Sequence, residues 1–85
     1  MSNLAEAFEK AQNDVKTLSE KPTDDDLLTL YSFYKQATNG DVTGERPGFF
    51  DFAGGAKFDA REKIKGMDKE EAMQKYIDTV TALLG

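Results

Sequence analysis

The stretch TDDDLLTLYSFYKQATNG, from Thr23 to Gly40, limits the fold more than any other part of the chain. The Thr23 hydroxyl suits an N-cap. Asp24, Asp25 and Asp26 set negative charge against the positive end of a helix dipole, and Asn39-Gly40 offers a left-handed exit. These signals predict a helix over Asp24–Asn39. Between them Leu27, Leu28, Leu30, Tyr31, Phe33, Tyr34 and Ala37 place apolar or aromatic groups on more than one side of that helix. A surface helix in a small bundle needs only one stripe. The excess means that the helix is nearly enclosed, or that one of its faces lines a groove. The three acids could be taken for a metal cluster, but their place in the first turn fits capping better.

The flanking segments are also helical in pattern. Leu4, Phe8, Ala11, Val15 and Leu18 form one stripe of an amphipathic helix over 3–18, and Asn3 with Glu6 resembles a capping box. Lys16 lies off that stripe and reads as solvated unless the second helix packs beside it. After Asn39-Gly40 comes a long connection, 41–55, with turn signals at Gly44, Pro47-Gly48 and Gly54-Gly55. Phe49, Phe50 and Phe52 are expected to tuck beneath this loop and pin it to the bundle. A third helix is expected over about 54–65, stopped by Gly66, with Phe58 and Ile64 facing inward. Asp68 with Glu71 repeats the capping box, and Lys69–Leu84 carries the stripe Ala72, Met73, Tyr76, Ile77, Val80, Leu83 and Leu84. Four helices with no strand pattern and no repeat predict an all-α bundle. At 85 residues the chain reads as a single domain, 1–85, burying roughly 60–65% of its unfolded surface.

Composition narrows the chemistry. There is no cysteine and no histidine, which removes disulfides, most metal sites, the usual general base and Cys or His nucleophiles. An enzyme is therefore not expected. The net charge of −5 argues against nucleic acid, whose binders need a basic face. No apolar run is long enough to span a bilayer, and MSNLAEAFEK lacks the apolar core of a signal peptide. A soluble, cytoplasmic, monomeric protein without stable membrane insertion is the expectation.

One small anionic ligand remains compatible with the charge, because salt screens remote acids beyond about 8–10 Å. Tyr31, Tyr34 and Lys35 stand at i, i+3 and i+4, on one side of the second helix. Two aromatic hydroxyls and an amine on one face suit an anion carried beside a flat ring. Lys57, beyond the loop, is a second cation that could converge on them. The tyrosines taken alone fit core packing as well as ligand contact. No phosphate-cradling glycine fingerprint is present.

LYSFYKQATNGD, then ERPGFFDFAGGAKFDA and KGMDKEEAMQKYID, closely resemble the acyl-CoA-binding protein family over essentially the whole chain. The resemblance implies a four-helix bundle of up-down-down-up order that holds medium- to long-chain fatty acyl-CoA esters as a carrier and pool former, without cofactor or catalysis. It implies that Tyr31, Lys35 and Lys57 meet the phosphorylated adenosine part, with Lys16 near the head group. It implies further that Tyr34 and Tyr76 line the site and that Leu28 lies where the acyl chain runs. Transient contact with acyl-CoA-using enzymes is the protein partnership it suggests. Family members often carry lysines where this chain has Ala53 and Gly55, and tryptophan where it has Phe58. The two rival readings are a module that receives an amphipathic helix from a partner, and a thioesterase or acyltransferase. The absence of His and Cys weighs against the latter.

Overall fold

The computed structural model describes residues 3–85. Its elements are α1 (Leu4–Asp14), a 3₁₀ turn (Val15–Thr17), α2 (Asp24–Asn39), α3 (Phe52–Lys63) and α4 (Lys69–Leu84). The described residues contain no strand, so the all-α class expected from the periodicities holds. α4 is the centre: α1 and α2 both pack on it, while α3 packs on α2 alone. The result is flat, with extents of 40 × 32 × 15 Å.

The helix starts differ in how they are capped. Thr23 Oγ1 accepts from the Asp26 N–H at 3.1 Å, as its place before the aspartates predicts. The two capping boxes do not form. Asn3 sits at φ −97°, ψ 29° and its side chain caps nothing, because that backbone is not the extended one from which a cap reaches back. Asp68 has the extended backbone but makes no side-chain cap bond, and α4 starts on the backbone bond from Ala72 N–H to Asp68 O at 2.9 Å. α3 begins earlier than the glycines suggested. Asp51 accepts from the Gly54 N–H at 2.9 Å, and a Cβ on Gly54 would stand 2.5 Å from the Asp51 carboxylate. Gly54 is therefore part of a cap.

α1 is also shorter than its stripe. Thr17 donates its hydroxyl to Asp14 O at 2.7 Å, and the chain tightens into the 3₁₀ turn before Leu18 turns extended. The core comprises Phe8, Ala11, Leu30, Ala37, Ala72, Tyr76 and Val80. Ala37 and Ala72 are small and fully enclosed, which lets α2 and α4 approach closely. Phe58 and Ile64 are half-buried, as expected, but Leu84 at the end of the α4 stripe is exposed.

The long connection is tied down by polar groups. Gln36, only 1% exposed, donates Nε2 to the Asp41 carboxylate at 2.8 Å and to Met67 O at 2.7 Å. Asp41 also receives the Gly66 N–H at 2.7 Å. These two bonds, Gln36 first, hold the Asp41 carboxyl below its usual range. Arg46 grips Asp59 through two bonds, 3.0 and 3.1 Å, and Arg61 Nη2 donates to Gly40 O at 3.0 Å. Gly40 has the positive φ expected, 84°, but with ψ −155° it is not left-handed helical; this mirror-extended region is open to glycine alone. Val42 is the apolar residue that the loop buries. Phe49, Phe50 and Phe52, expected beneath the loop, stand in solvent at 78%, 85% and 75% exposure. The loop is secured instead by Gln36, Asp41, Arg46 and Val42.

Candidate ligand-binding site

α2 and α3 enclose a groove of about 370 Å³. α2 contributes Leu27, Leu28 and Tyr31, and α3 contributes Ala53, Ala56 and Lys57, with Asp24 at one end. On each helix these positions repeat at three- and four-residue spacing, so each contributes a single face. The alanines keep α3 thin enough to leave a trough. Lys57 Nζ lies over the Tyr31 ring, 5.3 Å from its centroid, an attraction worth about 0.5–1 kcal/mol at an exposed position. A second cavity of about 540 Å³ lies along the same helix pair and shares Leu28 and Ala56 with the first. Leu28 is thus common to both hollows.

Lys35 follows Tyr31 by one turn. It is half-buried, whereas every other lysine among the described residues is exposed. Lys10 has Asp14 at 2.6 Å; Lys35 has no such acid, and nothing among the described residues accepts a hydrogen bond from it. A lysine whose side chain lies partly against the helix surface, with no counter-charge to hold its amine, is a place where an anion binds favourably.

The structure brings Leu28, Tyr31 and Lys57 into one groove, with Lys35 on the next turn. It does not bring Tyr34, Tyr76 or Lys16 there. Tyr34 and Tyr76 form an aromatic trio with Phe8: Phe8–Tyr34 centroids are 6.0 Å apart, Phe8–Tyr76 5.2 Å and Tyr34–Tyr76 6.4 Å. Tyr76 is 6% exposed, and burial, then the neighbouring Tyr34 phenol, pushes its hydroxyl above the usual value. Core packing thus accounts for the Tyr76 ring, while half-buried Tyr34 keeps some surface. Lys16 is exposed in the 3₁₀ turn, which packs on α1 and α4 and not on α2. Ala53, Ala56 and Leu27 were not singled out as groove residues from the sequence; their signal is the matching helical spacing on two segments that face each other only in the fold.

Fold and groove together are those of a small all-α protein that presents an apolar trough edged by lysines. The sequence model of the family described as Acyl CoA binding protein matches residues 5–80, and the chain belongs to that family. An acyl-CoA-binding protein homolog of Manduca sexta is 45% identical over 83 residues, spanning 96% of this chain and 92% of the relative. The acyl-CoA-binding protein of Brassica napus is 47% identical over 81 residues, spanning 95% of this chain and 88% of the relative. The crystal structure of Oryza sativa Acyl-CoA-Binding Protein 2 superposes with a TM-score of 0.89 at 45% identity, covering 96% of this chain and 91% of that one.

Proposed function

We propose that this chain binds fatty acyl-CoA esters and carries them unchanged. Lys35 and Lys57 receive the phosphates, Tyr31 offers its face to the base, and the acyl tail follows Leu28 along the α2–α3 groove. Tyr34 keeps a partly exposed edge that a ligand can reach, Tyr76 supports it from within the core, and Lys16 adds a more distant cation from the exposed turn after α1. The observation that carries this reading is Lys35, a half-buried lysine with no acid partner, one turn from a tyrosine beneath a second lysine.

The energetics require both halves of such a ligand. A charge-assisted hydrogen bond contributes about 1.5–3 kcal/mol, and a base stacked on an aromatic ring about 1–3 kcal/mol. Burying a tail at roughly 0.8 kcal/mol per methylene reaches on the order of 10 kcal/mol for a long chain. Nanomolar affinity needs about −12 kcal/mol, and immobilisation subtracts several. Neither head nor tail reaches that alone.

No step of the function requires bond-making, and the chain has no His or Cys to supply a nucleophile. The 85 residues act as one binding unit, monomeric and free in the cytoplasm, handing the ester to acyl-CoA-using enzymes by transient contact. Incubating the protein with palmitoyl-CoA and a thiol reagent tests the carrier reading: one-to-one binding without thiol release supports it, and released CoA would refute it.

A further inference from the structure

Beside the groove lies a patch that neither the core nor the proposed ligand site uses. Phe49, Phe50 and Phe52 are 78%, 85% and 75% exposed. Phe49 and Phe50 meet edge to face with centroids 5.3 Å apart, so these two rings shield each other and little else. Neighbouring apolar side chains left in water mark an interaction surface.

Several features of the tip indicate what covers it. Between Pro47 and Ala56 the only charged residue is Asp51, in a chain that is 32% charged. That one carboxylate faces the start of α3 and accepts the Gly54 N–H at 2.9 Å, where the helix dipole offsets its charge. The turn pairs part of its own backbone: Asp51 N–H donates to Gly48 O and Gly55 N–H to Asp51 O, both at 2.9 Å. The tip is also continuous with the groove, since Phe52 precedes Ala53, and Leu27, itself exposed, lines the same trough.

We propose that the Phe49–Phe52 tip is a membrane-contact site that inserts its rings into the headgroup layer of an uncharged lipid bilayer and holds the mouth of the groove at that surface. This rests on the acyl-CoA reading for its purpose: a long acyl tail enters a bilayer by the same burial that holds it in the groove, so a carrier meets its ligand there. The net charge of −5 opposes anionic lipid, which makes the contact apolar and insensitive to salt.

The test is flotation with phosphatidylcholine vesicles free of acyl-CoA, comparing the wild type with F49S/F50S. The expected result is a wild type that floats at low and high salt, and a variant whose partition coefficient falls at least about tenfold with unchanged helical circular dichroism. Palmitoyl-CoA titration without vesicles runs in parallel and is expected to be the same for both proteins. A wild type that fails that titration removes the purpose assigned to the contact, while flotation alone decides the contact itself. Equal flotation of the two proteins, no flotation of either, or loss of flotation on adding salt overturns the proposal. So does concentration-dependent self-association abolished by F49S/F50S in the absence of flotation, which would mean that the rings pack against a second copy.

Discussion

Replacing Lys35 with alanine separates binding from folding more cleanly than any other change at the site. The lysine is half-buried on α2 and makes no ion pair, so its removal leaves no acid orphaned. Alanine is the better helix former, and thermal stability should stay within about 0.5 kcal/mol of the wild type. Binding should not be spared. Lys10, with its side chain 75% exposed beside Asp14, forms a solvent-screened pair of the kind worth about 0–1 kcal/mol. Lys35 is half-buried and has no acid competing for its amine, so its phosphate contact belongs in the charge-assisted range of about 1.5–3 kcal/mol. That raises Kd for palmitoyl-CoA roughly 10- to 150-fold. Calorimetry at two salt concentrations should also find a shallower salt dependence in the variant, since one phosphate contact is gone. Palmitoyl-CoA binding at wild-type affinity by a folded Lys35→Ala protein would refute the reasoning.

Tyr31→Phe should raise Kd less than Lys35→Ala does, because the ring under Lys57 remains; a larger rise in the same titration would show that the hydroxyl dominates. Phe8→Ala empties the centre of the aromatic trio and should cost about 3–5 kcal/mol, read as a lower midpoint in urea; an unchanged midpoint would mean that the trio does not support the core. Asp41 has its folded pKa lowered by Gln36 and the Gly66 N–H, so its contribution is full above its ordinary value near 3.8 and is lost as pH falls through the lowered one. Asp41→Asn should therefore be less stable than wild type at neutral pH, with the gap in urea midpoint narrowing below about pH 4; a gap independent of pH would contradict this.

Much of the frame was legible in the sequence because local chemistry decided it. α2 runs Asp24–Asn39 as its cap and exit signals predict, and α4 runs Lys69–Leu84 on its stripe. Glycine misled at α3: Gly54-Gly55 reads as a turn, yet Gly54 lets Asp51 fold over the first helical turn. Hydrophobicity misled at the loop, since Phe49, Phe50 and Phe52 look like core and the polar hub of Gln36 and Asp41 holds the loop instead. At the site, spacing alone puts Tyr31 and Lys35 on one side of α2. Tyr76 turns into the core as its place in the α4 stripe implies. That Lys57 crosses onto the Tyr31 ring depends on how α3 packs against α2, and no local pattern encodes that contact.

Calorimetric titration with palmitoyl-CoA, octanoyl-CoA, free CoA and palmitate tests the central claim most directly. The account predicts tight one-to-one binding of palmitoyl-CoA, weaker binding of the octanoyl ester, and far weaker binding of CoA and palmitate. Free CoA binding as tightly as palmitoyl-CoA, or no binding of any of the four, would contradict it.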